Sequence, residues 1–250
     1  MLEVLAGSFA LNEIVEIRSG IELPSVREDI TLTTSDGLEL VGELAMPVGR
    51  PPVATLITLH PLPTHGGFMD SHVIRKAANR LPELADLAVL RFNTRGTESP
   101  RGKSQGEFGD GIAEAADVKA ALDFAVSRGL PHIWLVGWSF GTELAIKYGF
   151  DAPIDGVILL SPPLRRSKDE DLQRWIGNPR RMIALVPEHD DYLKPAEALV
   201  RFALVPHAQV IGVDEAKHLW VGESPTSRVL NEIVAAVNPA KAPLPTTWQG

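Results

Sequence analysis

Six short, predominantly apolar runs recur along this chain, at 53–59, 87–92, 132–136, 156–160, 182–186 and 209–213. Runs of this length without polar alternation suit strands buried on both faces, and most are separated by stretches with helical periodicity. A strand that returns to the same sheet after a helix lies parallel to its predecessor, so the pattern predicts an α/β protein. Residues 28–34 and 38–46 differ. They alternate around Ser35-Asp36-Gly37, which predicts an antiparallel hairpin at the sheet edge. The expected fold is a mostly parallel central sheet of about eight strands with helices on both faces. Helices are expected over 69–82, 112–127, 140–149, 195–203 and 225–237, and a loop over 93–111. The proline-rich tail after Asn238 is expected to run over the surface.

No stretch reads as a linker, so 1–250 is expected to be one domain, with the polar segment 162–180 as a short cap over one end of the sheet. With 44% hydrophobic residues, a chain of 250 can bury a large core unaided. It has no cysteine, which excludes disulfides, cysteine-held zinc and thiol catalysis. A net charge of −8 disfavours nucleic acid as a partner, because phosphates need a basic face. Glu3, Glu13 and Glu16 interrupt the first 20 residues, so neither a signal peptide nor a membrane span is expected, and a cytoplasmic location is the default. Oligomeric state is not fixed by these patterns.

The apolar run 132–136 leads at once into Gly137-Trp138-Ser139-Phe140-Gly141, and a helix follows. To expose its hydroxyl at the end of a sheet, a serine must sit on a sharp strand-to-helix turn. That turn brings the flanking chains together, so only small residues fit two positions before and two after. It also leaves Ser139 at a helix N-terminus, where free amides favour developing negative charge. The bland alternative is a glycine-rich turn with a solvated serine. The strand before the motif and the helix after it favour a nucleophile.

A serine hydroxyl needs a base, and the base needs an orienting carboxylate. After such a turn, the acid and then the histidine are expected in chain order. Glu188-His189-Asp190-Asp191 follows the strand at 182–186, and Asp190 is the favoured acid, with Asp191 and Glu188 as alternatives. The competing reading is a solvated acidic loop. His218 follows the last strand and is the favoured base. His189 is its main competitor. His207 and His132 fall at the wrong strand ends.

A tetrahedral intermediate needs two amides aimed at its oxygen. Phe140 offers one. The loop His60 to Gly67, after the run 53–59, offers the other at Leu62, because Pro61 and Pro63 carry no N–H. His60, His65 and His72 do not have the spacing of metal ligands, and His60 is expected to bond the loop backbone. No metal or cofactor is called for.

These residues resemble the α/β-hydrolase superfamily over nearly the whole chain. They look most like bacterial α/β-fold hydrolases with H-P-x-P-x-x-G-G, here His60 to Gly67, and R-F-N-x-R-G, here Arg91 to Gly96. The resemblance implies a Ser139, Asp190 and His218 triad with Leu62 and Phe140 as the oxyanion donors. It also implies that Arg95 braces its loop. The family pattern often continues with a glycine and then a serine, where this chain has Glu98-Ser99, so a different path is expected there.

The leading expectation is a serine hydrolase acting on a carboxylic ester or related acyl bond of a small-molecule substrate. Acyl transfer on the same triad and a non-catalytic binding protein are the alternatives. Phe68, Met69, Trp138, Phe140, Trp175 and Trp220 are expected to wall the pocket, giving it an apolar character.

Overall fold

The computed structural model describes residues 2–5 and 14–249. In chain order its strands are β1 (Leu2–Leu5), β2 (Ile14–Glu16), β3 (Ser25–Thr33), β4 (Glu39–Met46), β5 (Ala54–Leu59), β6 (Leu87–Phe92), β7 (Glu98–Ser99), β8 (Gly102–Lys103), β9 (Ile133–Trp138), β10 (Gly156–Leu160), β11 (Arg181–His189), β12 (Gln209–Lys217) and β13 (Thr247–Gln249). The helices are α1 (His72–Ala85), α2 (Ala115–Ser127), α3 (Phe140–Gly149), α4 (Asp169–Gln173), α5 (Pro195–Phe202) and α6 (Glu223–Val237).

Among the described residues, nine strands form the main sheet, in the order β1-β3-β4-β6-β5-β9-β10-β11-β12. The six strands from β6 to β12 run parallel, and β4, β3 and β1 add antiparallel at one side. The apolar runs are continuous because both faces are covered. Ile57, Leu90 and Leu135 point into the layer formed with α2 and α3, while their neighbours Leu56, Val89 and Trp134 point into the layer formed with α1 and α6.

The chain passes from β5 to β6 on one side, then crosses back to place β9 on the other side of β5. The loops after β5 and β9 therefore leave in opposite directions, and a crevice opens between their carboxyl ends. Leu62 and Ser139 stand at that crevice.

Three expectations are corrected. The β3–β4 hairpin is not the sheet edge, because β1 pairs outside it with Leu2 opposite Glu28 and Leu5 opposite Ser25. The tail does not simply run over the surface: β13 pairs antiparallel with β2, and Trp248 packs against a small cluster of Ile17, Leu23 and Leu84. Helix α1 also begins three residues later than predicted and continues through Pro82. Proline leaves the carbonyl four residues back without its helical donor. Arg27 Nη2 fills the vacancy, donating to Ala78 O at 3.2 Å.

Candidate active site

Ser139 links β9 to α3 with φ 52° and ψ −112°, a conformation that non-glycine residues rarely adopt. The two glycines of the motif are required by contact. A Cβ on Gly137 would lie 2.4 Å from Gly141 O, and one on Gly141 would lie 2.0 Å from Leu59 O. The turn is held by Ser139 N donating to Leu160 O at 2.9 Å and by Thr142 Oγ1 donating to Ser139 O at 2.6 Å.

His218 Nε2 lies 2.9 Å from Ser139 Oγ, and its Nδ1 lies 2.9 Å from Asp190 Oδ2. A carboxylate only accepts, so in the neutral imidazole Nδ1 carries the proton and Nε2 is free to accept from the serine hydroxyl. Asp190 is itself fixed by Tyr192 N, which donates to Oδ1 at 2.8 Å. The main chain of His218 is anchored as well: Trp138 Nε1 and Ser161 Oγ both donate to its carbonyl, at 3.2 and 3.0 Å. The alternatives lie elsewhere. Asp191 is exposed. Glu188 accepts Glu215 N, and His189 is exposed between Glu188 and Glu215. These last three form the one cluster among the described residues with metal-ligand potential, and all three are exposed.

The loop after β5 folds back on itself: Gly67 N and His65 N both donate to Leu62 O at 3.0 Å. Gly67 is required because a Cβ there would meet Pro61 O at 2.1 Å. His60 is buried and pins the loop. Thr94 N donates to its Nε2 at 3.0 Å, so Nδ1 carries the proton and donates to Pro61 O at 2.7 Å. Burial pushes this imidazole down to about 4, which keeps it neutral. Leu62 and Phe140 both border the cavity that holds Ser139 and His218. Phe140 opens α3, so its N–H has no acceptor within the helix.

The second motif braces these loops. Arg91 joins the buried carboxylate of Glu43 and also Asp70. Asn93 Oδ1 accepts Met69 N at 2.9 Å. Arg95 pairs with buried Asp117 and with Asp36, and does not border the cavity. The segment after Gly96 forms the small β7–β8 hairpin.

The cavity at Ser139 has a volume of about 160 Å³. Of the six residues expected to wall it, Phe140 borders the cavity and the other five do not. Met69, Trp138, Trp175 and Trp220 are fully buried and none borders the cavity, nor does Phe68. Large aromatic side chains near the site were drawn into the two packing layers instead. Trp175 Nε1 donates to Ile146 O at 2.9 Å, fastening the 162–180 segment against α3, and Trp138 serves the site only through the carbonyl of His218. Tyr192, Leu219, Pro163, Arg165, Arg166 and His65 border the cavity instead. Tyr192 and Leu219 adjoin Asp190 and His218 in sequence, which was a usable signal. Arg165 and Arg166 gave none, because their position depends on Glu143. Its buried carboxylate, on α3, accepts the amides of Arg165, Arg166 and Ser167. A larger hollow of about 430 Å³ between α2 and α3 contains none of the groups of the site.

The chain has the α/β-hydrolase fold. It superposes with a TM-score of 0.72 on an α/β serine hydrolase homologue from Coxiella burnetii, at 24% identity over 84% of this chain and 97% of that one. For an α/β serine hydrolase without a lid from Xanthomonas campestris the TM-score is 0.73, at 23% identity over 88% and 97%. For an esterase from Pyrococcus furiosus it is 0.67, at 20% identity over 84% and 92%. No family model matches the chain. An uncharacterised protein of Rickettsia prowazekii is 34% identical over 112 residues, 43% of this chain and 44% of that protein, so the match spans less than half of either. Among the described residues, no helix is long and apolar enough to cross a membrane.

Proposed function

We propose that this chain is a serine hydrolase that cleaves a carboxylic ester or related acyl bond through an acyl-enzyme. The observation that carries the reading is the hydrogen-bonded series from Ser139 Oγ through His218 to Asp190, on a strained turn at the floor of a cavity. His218 Nε2 takes the serine proton as Oγ attacks the carbonyl carbon. The amides of Leu62 and Phe140 receive the negative charge that builds on the carbonyl oxygen. His218 then passes its proton to the leaving oxygen, and the acyl group stays on Ser139. Water, deprotonated by His218, attacks the acyl-enzyme and releases the acid. Asp190 holds the imidazole in the required tautomer throughout.

The fold shared with an esterase and with serine hydrolase homologues supports this reading. A cavity of about 160 Å³ resembles in size one of ~150 Å³ that holds benzene, so a small acyl or ring group is the expected occupant. The site is proposed to work without a lid, as its Xanthomonas neighbour is described.

Labelling with a fluorophosphonate probe, followed by peptide mass spectrometry, tests the proposal. An adduct confined to Ser139, absent from Ser139→Ala, supports it. A folded protein that takes up no probe refutes it.

A further inference from the structure

The protein carries a net charge of −8, yet no acidic side chain borders the cavity at Ser139. The charged side chains that do are Arg165 and Arg166. Arg166 is committed elsewhere, with its Nε donating to Asp110 Oδ1 at 2.7 Å. Arg165 is not. It is exposed, and among the described residues it has no carboxylate within ion-pair distance. Its guanidinium stands over the Tyr192 ring, 5.1 Å from the centroid. Its main chain is held by the buried carboxylate of Glu143, so the side chain projects from a fixed point.

The position of Arg165 has a chemical meaning. The Tyr192 ring lies against the His218 imidazole, with centroids 4.5 Å apart. His218 Nε2 must deliver a proton to the leaving oxygen, so the leaving group departs on the side of His218. Arg165 and Tyr192 stand on that side. Leu62 and Phe140 serve the carbonyl oxygen.

We propose that the leaving group of the substrate carries an anionic group, a carboxylate or a phosphate, that Arg165 recognises. The inference rests on the serine hydrolase reading and adds a substrate class to it. A planar guanidinium binds either anion through paired hydrogen bonds, and the Tyr192 ring beneath it gives the adjoining apolar part of the leaving group a surface to rest on.

The test compares two acetate esters, one of 4-hydroxybenzoate and one of methyl 4-hydroxybenzoate. They differ in the charge of the leaving group. The wild-type protein should prefer the anionic ester by about tenfold or more in kcat/KM, mostly through KM. In Arg165→Ala the ratio of the two should fall towards one, in Arg165→Glu it should invert, and Arg165→Lys should keep part of it. The wild-type preference should shrink as salt is added. Equal ratios in wild type and Arg165→Ala overturn the proposal. So does a preference found only on the acyl side, for p-nitrophenyl hydrogen succinate over p-nitrophenyl butyrate.

If neither acetate is turned over, protection of Ser139 decides. Slower fluorophosphonate labelling with 4-hydroxybenzoate or phenyl phosphate than with methyl 4-hydroxybenzoate supports the proposal, and whichever anion protects better identifies the group. No difference overturns it. A Ser139 that takes up no probe at all removes the hydrolase reading itself, a different failure from a labelled serine that ignores charge.

Discussion

Glu143 accepts the backbone amide of Arg165 at 2.7 Å, so the helix that begins beyond Ser139 also carries one wall of its cavity. Glu143→Gln keeps one acceptor oxygen and turns an NH2 group towards amides that also donate. The substitution should cost about 1–3 kcal/mol in urea unfolding. Amide exchange at Arg165, Arg166 and Ser167 should quicken in the folded protein. Unchanged exchange there would mean the carboxylate does not hold the wall.

Asp190 is buried against His218, while Asp191 is exposed one residue on. Asp190→Asn should lower kcat by about 10⁴-fold, because an amide can hold the imidazole in the wrong tautomer. Asp191→Asn and His189→Ala should stay near wild type. Ester turnover for the three variants, measured side by side, checks the acid and the base together.

Leu62 has φ −56°, the angle a proline ring imposes. Leu62→Pro therefore removes the amide hydrogen without demanding a new φ. If that amide faces the oxyanion, kcat should fall by about 10²–10³-fold, with less effect on KM. Leu62→Ala, which trims the side chain and keeps the amide, should lose far less. Similar losses in both would assign the effect to packing.

His60 makes stability depend on pH. Burial holds its folded pKa at about 4, below the ordinary 6.5, so the unfolded chain binds the extra proton. Stability is complete above about 6.5 and should fall by up to about 3 kcal/mol as pH drops towards 4. Burial lowers His72 too, which adds to the same window. Glu223 acts in a lower one. Burial opposes its ionisation, but Arg80 and Lys76 hold its carboxyl at about 2, so its contribution is lost only as pH falls from about 4.5 towards 2. Urea midpoints between pH 7 and 4 should show the slope, and His60→Gln should flatten it.

The strands were legible wherever burial on both faces made the sequence continuously apolar. Leu87–Phe92 and Gly156–Leu160 fall where the runs placed them, and α3 begins and ends as read. The relative order of Ser139, Asp190 and His218 was legible because each follows a strand at the same end of the sheet. The cavity wall was not. Aromatic residues near the site were assigned to it on chain position, but Trp175 and Trp220 had a stronger claim on the core. Arg165 reaches the cavity because Glu143, 22 residues earlier, binds its amide, and no local pattern reports a contact of that kind. The pairing of β13 with β2 spans most of the chain and escaped for the same reason.

Between Gly141 and the end of β5 the nearest atoms are the carbonyl oxygen and carbon of Leu59, one main chain resting on another with only the fixed Leu59 Cβ beside it. A gap filled by side chains can be retuned by rotamer changes. This one has no rotamers to change. The reach from the serine turn to the loop that carries Leu62 is therefore set like a machined spacing, with a tolerance smaller than one methyl group. An alanine at Gly141 would be felt first at the carbonyl of Leu59, and through it at the start of the His60 to Gly67 loop.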